Sequence, residues 1–300
     1  MPANSGKKTG YKKTDKSRNA KQSSFDAVVF AGGGTRCLWQ VGFLEIAAPE
    51  LNIKPTVVAG VSAGAAMACM VYAGKATECL EYFKEITGNN EKNFYPRNLF
   101  TGKPSFPHYD MYRDTVLRFM DEQALKKLKN DHDIKILLAR PPKWLGPRSA
   151  TFVGFMTYSI EKKIVFPVHS SWSMKLGFIP EVVSVSECKT PDDLADLILQ
   201  SSCTPPFVPI MFRNGGTVLD GGLVDNVPIM ALRDFQGEAL LMLTRQYAPE
   251  KIINIPGRTY VQPSEPIPIT KWDYTSPEGL QTTYDLGRRD GEVFIKEWRR

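Results

Sequence analysis

The feature that most narrows what this chain can fold into is a unit that occurs twice between residues 25 and 73: a short apolar strand, a glycine turn, then a helix. Phe25–Ala31 (FDAVVFA) is rich in Val and Phe and suits a strand buried on both faces. Gly32, Gly33 and Gly34 follow, and Arg36–Ala48 reads as a helix stopped by Pro49. Thr56–Ala59 repeats the strand signal ahead of Gly60, and Ala63–Ala73 is a helix of small residues. The order predicts an α/β fold with a parallel sheet.

Further strands are expected at Ile134–Ala139, Ala150–Met156 and Ala239–Thr244. A helix is expected from about Asp110 to Lys129, with Leu117, Met120, Ala124 and Leu128 along one face. Thr190-Pro191-Asp192 supplies a cap, a first-turn proline and a first-turn acid for another helix, which Pro205 and Pro206 close. Residues 88–109 lack periodicity and read as a surface excursion; the proline-rich residues 249–278 read as extended chain wrapping the core. No repeat and no linker follows residue 24, so residues 25–300 are expected to form one domain.

The net charge of +6 tempts a nucleic-acid reading, and its distribution argues against one. Seven of the 38 basic residues and one of the 32 acidic residues lie in residues 1–24, so the other 276 residues carry 31 of each. A nucleic-acid reader places its basic residues on the folded surface. The excess belongs instead to an N-terminal arm of Ser, Asn, Gly and Lys, whose composition predicts disorder. The arm reads either as a plain solvated tail or as a contact for an anionic membrane, at ~1 kcal/mol for each base near the surface. The arm lacks the apolar stretch of a secretory signal, and no run of about 18 apolar residues suits a membrane span. The expected location is cytoplasmic, with peripheral membrane contact. Cys37, Cys69, Cys79, Cys188 and Cys203 contain no CxxC pair, so buried free thiols are expected rather than a metal or disulfide framework.

Gly60-Val61-Ser62-Ala63-Gly64 matches G-x-S-x-G between a strand and a helix, the setting of a nucleophile elbow. A serine hydroxyl needs a base. His108, His132 and His169 have no motif around them and read as surface or satisfied histidines. Asp220, followed by Gly221 and Gly222, can approach another loop closely enough for its carboxylate to act directly on a serine. Amides of the loop Gly32-Gly33-Gly34-Thr35-Arg36 can hold an anion. A dinucleotide fingerprint would need glycine where Cys37 stands, whereas an oxyanion hole uses this loop together with Ser62. A non-catalytic lipid- or anion-binding module, and a nucleotide-binding protein holding phosphate at Gly32–Gly34, stay open as alternatives.

Taken together, Gly32–Arg36, Gly60–Gly64 and Asp220-Gly221-Gly222, in this order and spacing, resemble the patatin-like phospholipase family. Ser201–Pro209 is similar to the small-residue and proline segment ahead of that family's aspartate, and the likeness spans about residues 25–230. Two departures are Ala31, where the family often has aspartate, and Cys37, where it usually has glycine. The resemblance implies a three-layer α/β/α sandwich around a mainly parallel sheet. It implies Ser62 as nucleophile, Asp220 as base, Gly32, Gly33, Gly34 and Thr35 as oxyanion donors, and Arg36, Gly60, Gly64, Gly221 and Gly222 in support. The implied substrate is a phospholipid, lysophospholipid or other lipid ester, with no metal and no cofactor.

Overall fold

A computed structural model describes residues 25–300, so the basic arm lies outside the described residues. Among the described residues eight strands run in chain order: β1 (Ala27–Phe30), β2 (Val57–Val61), β3 (Asp133–Arg140), β4 (Ile179–Ser184), β5 (Met211–Arg213), β6 (Gly216–Asp220), β7 (Ala239–Met242) and β8 (Arg258–Val261). The helices are α1 (Leu38–Glu50), α2 (Ala63–Ala73), α3 (Ala76–Gly88), α4 (His108–Phe119), α5 (Glu122–Asp131), α6 (Pro147–Ile164), α7 (Trp172–Lys175), α8 (Pro191–Ser201) and α9 (Pro277–Trp298).

The sheet runs β5-β6-β3-β2-β1-β7-β8, with β4 also on β3. The pairs among β3, β2, β1, β7 and β8 are parallel, and β4, β6 and β5 enter antiparallel. Every residue of β1 is buried, and its side chains alternate between two cores. Val28 and Phe30 pack with residues of α1, α2, α4, α5, α8 and α9. Ala27, Val29 and Ala31 pack on the other face with Val227, Leu232, Tyr247 and Tyr260. Further along that sheet, α6 brings Ala150 against Val61, Leu137 and Leu219. The result is a three-layer α/β/α sandwich around a mostly parallel sheet, its second helical layer thinner than its first.

Several local expectations change. Residues 150–156 lie in α6, not in a strand: Pro147 opens the helix, and Ala150 and Gly154, one turn apart, face the core. The expected helix 110–129 is two helices, because the Asp121 carboxylate accepts the Ala124 amide (2.8 Å) and starts α5 anew. Pro49 sits within the last turn of α1, which runs on to Glu50. The helix opened by Thr190 has the expected cap, with Asp193 N–H donating to Thr190 Oγ1 (3.1 Å), and ends at Ser201, ahead of the two prolines. Residues 249–278 do more than wrap: they supply β8 and the segment around Lys271 that covers the glycine loop. All five cysteines are buried and free.

Candidate active site

Sheet register brings the two key residues together. Val61, the last residue of β2, pairs with Leu137, and the next residue of β3, Leu138, pairs with Asp220 at the end of β6. Ser62 and Asp220 therefore leave the sheet side by side, although 158 positions separate them, and the Ser62 Oγ hydroxyl donates to Asp220 Oδ2 at 2.8 Å.

Ser62 adopts φ 55°, ψ −138°, a conformation unfavourable for any residue with a side chain. The turn is this tight because β2 folds straight into α2. A Cβ on Gly60 would lie 2.6 Å from Ala65 Cα, and one on Gly64 would lie 2.5 Å from Ala31 O. The Ser62 amide donates to Ser201 Oγ (2.8 Å), and Ser201 donates to Leu137 O (2.7 Å), so the end of α8 pins the elbow to β3.

Asp220 is buried, and its Oδ1 accepts the Gly222 amide (2.7 Å). Burial pushes its carboxyl up to about 6, against the opposing pull of the Ser62 and Gly222 hydrogen bonds and of the Lys271 charge. Such a carboxylate is a far better proton acceptor near neutrality than one in water.

The four candidate oxyanion donors are not equivalent. The Gly32 amide donates to Asn226 O (3.0 Å), and the Thr35 amide to Lys271 O (3.3 Å). Those two are spent, whereas the Gly33 and Gly34 amides have no acceptor among the described residues and line the cleft with Ser62. The loop is fixed from below: Asn226 Nδ2 and Thr244 Oγ1 both donate to Gly32 O (3.1 and 2.7 Å), and Arg36 Nε donates to Gly33 O (3.3 Å). Neither Ala31 nor Cys37 disturbs it. Asn226 and Thr244 were not singled out by the sequence, although Asn226 follows the D-G-G segment closely.

The cleft, about 640 Å³, is lined by residues the sequence did not mark, among them Tyr112, Phe155, Tyr158, Arg245, Lys271 and Trp272. Arg36, Arg245 and Lys271 stand close enough to feel one another's charge, and none forms an ion pair with a carboxylate among the described residues. Burial lowers both the Arg36 and Lys271 pKa, and Arg245 Nε has no hydrogen-bond partner among the described residues. A second cavity of about 500 Å³ shares Gly34, Ala63, Tyr112 and Tyr274 with the cleft; Leu38, Met67, Met70, Leu80, Phe83 and Val116 line much of the rest. Beside Ser62 the protein thus offers a cationic wall and an apolar recess.

No histidine partners the serine. His132 bonds Pro55 O, and His169 bonds Asp225 and Tyr260. His108 lines the cleft, but its Nε2 donates to Trp272 O (2.8 Å) and burial lowers its pKa. Among the described residues there is also no group of three His, Cys, Asp or Glu that could hold a metal ion, and no helix long and apolar enough to cross a membrane.

A family profile described as patatin-like phospholipase matches residues 28–233. Among solved structures, VipD from Legionella pneumophila is similar at 12% identity, covering 92% of this chain and 67% of that one, with a TM-score of 0.47. None of the curated proteins compared with the chain matches it.

Proposed function

The chain belongs to the patatin-like phospholipase family and so acts on lipid acyl esters; from that premise we propose that it is a serine hydrolase of phospholipid or lysophospholipid esters working through Ser62 and Asp220. The observation that carries this reading is the 2.8 Å hydrogen bond from Ser62 Oγ to a buried carboxylate, with no imidazole between them.

The acyl carbonyl enters beside Ser62, and Asp220 Oδ2 takes the hydroxyl proton as Oγ attacks the carbonyl carbon. The Gly33 and Gly34 amides meet the negative oxygen of the tetrahedral intermediate. Collapse breaks the ester bond, and the departing alcohol takes the proton back from Asp220. Water then attacks the acyl-serine, giving its proton to Asp220, and the free acid leaves with Ser62 restored. The cationic wall supports a substrate carrying a phosphate, and the apolar recess supports a long acyl chain.

The test uses a chromogenic short-chain ester, a serine-directed fluorophosphonate and defined phospholipids with mass-spectrometric product analysis. Ser62→Ala and Asp220→Ala are expected to lower ester turnover by about a thousand-fold or more with the fold intact by circular dichroism. Ser62→Ala should also abolish labelling. Parental turnover in either variant overturns the mechanism.

A further inference from the structure

Helix α6 is amphipathic in the wrong sense for a surface helix of a water-soluble protein. Phe152, Met156, Ile160 and Ile164 recur every fourth residue, so they form one stripe, and they are 67, 46, 42 and 69% exposed. Trp144, at 79%, precedes the helix, and Phe166 and Leu176 are exposed beyond it. Its inward side is conventional: Ala150 and Gly154 pack on the core, Gly154 against Phe178 and Leu223. An apolar face this long, open to solvent, marks a surface that another phase or partner covers.

The charges around it identify the cover. Residues 141–179 contain Lys143, Arg148, Lys162, Lys163 and Lys175 and a single acid, Glu161. Glu161 is buried and accepts the Ser171 and Trp172 amides (2.9 and 3.2 Å), so its charge is turned inward. Lys162 also points in, to Pro167 O and the Tyr247 hydroxyl. Lys143, Arg148, Lys163 and Lys175 are exposed, and none forms an ion pair among the described residues. Some exposed cations elsewhere do pair, as Arg299 with Glu50 and Arg289 with Glu265, and others such as Lys103 and Lys126 do not among the described residues. It is the near-absence of acids beside the apolar stripe that sets this face apart. An apolar stripe edged by unpaired cations matches the boundary between acyl chains and anionic headgroups.

We propose that α6 docks this protein on the surface of an anionic bilayer, its Phe152–Ile164 stripe entering the headgroup boundary and the flanking cations meeting lipid phosphates. The same helix gives Phe155 and Tyr158 to the cleft, so docking sets the catalytic cleft beside the lipid. The proposal rests on the lipid-ester reading for its purpose but not for its measurement.

Full-length Ser62→Ala protein is sedimented with phosphatidylcholine vesicles with and without phosphatidylserine. Binding is expected to be stronger with phosphatidylserine. Phe152→Gln with Ile164→Gln should lower the partition coefficient at least ten-fold on both vesicles. Arg148→Gln with Lys163→Gln should lower it only on the anionic ones, by about five-fold per charge. With Ser62 restored, the Phe152→Gln/Ile164→Gln protein should hydrolyse a soluble short-chain ester at the parental rate, which shows that its fold is intact. Undiminished vesicle binding by that variant overturns the proposal. So does ultracentrifugation showing a parental dimer that the variant reduces to a monomer, since the stripe would then hold a second copy of the chain. If the parent binds vesicles but cleaves no ester, the catalytic reading fails and the docking surface stands.

Discussion

Burial that pushes the Asp220 carboxyl up to about 6 ties the proposed catalysis to stability in one residue. In the proposed mechanism the ionised form is the base, so kcat/KM on a soluble ester should fall as pH drops through about 6, and a stopped-assay pH profile reads this directly. Lys271 pulls that value down, so Lys271→Met should move the acidic limb to higher pH. The stability sign is opposite. The folded-state pKa lies above the unfolded one, so the proton favours the folded chain below about 4, and that advantage is lost as pH rises through about 6. Ionised Asp220 therefore costs the fold on the order of 3 kcal/mol at pH 8. Asp220→Asn should abolish turnover and raise Tm by a few degrees at pH 8, with a smaller rise at pH 5, measured by calorimetry. Ser62 and Asp220 were legible in the sequence because their turns need glycines at fixed offsets. Arg245 and Lys271 were not, since only folding brings their loops to Ser62.

Helices show where periodicity speaks and where it fails. The cap of α8 and the small-residue run of α2 are visible in the sequence. The run containing Ala150, Phe152, Val153, Phe155 and Met156 has no polar face, so it reads as a strand until the structure shows two of its residues facing out. The C-terminal helix α9 carries no motif, yet it packs along α1 at unusually close range. Trp39 Nε1 donates to Asp290 Oδ2 (2.7 Å), and Gly42 and Gly287 let the two backbones approach until any Cβ would collide with a carbonyl. Such a contact cannot be relieved by a rotamer change, so Gly287→Val should destabilise the fold by about 3 kcal/mol or more, read as a lower urea midpoint at unchanged m. Gly74→Ala, beyond the end of α2 at φ 77° and near only Lys127 Nζ, serves as a milder control whose cost, about 1 kcal/mol, is backbone strain and not a clash.

For the whole molecule, charge and chemistry divide. The residues from 25 on balance their charges, and the surplus is in residues 1–24. Deleting residues 2–24 should weaken binding to anionic vesicles, most at low salt, and leave soluble-ester turnover unchanged. If binding persists unaltered, the arm has no part in docking. The cleft itself has a consequence for the reaction's end. Hydrolysis turns a neutral ester into a fatty carboxylate, a molecule with a negative head and an apolar tail. Arg245 and Lys271 on the cleft wall would suit the head, and the apolar recess that shares Tyr112 with the cleft would suit the tail. In the proposed reaction the product therefore matches the cleft that received the substrate, and turnover would gain from a sink for it. A bilayer dissolves fatty acid as water does not, so on the proposed docking a single surface would both deliver substrate and clear the site.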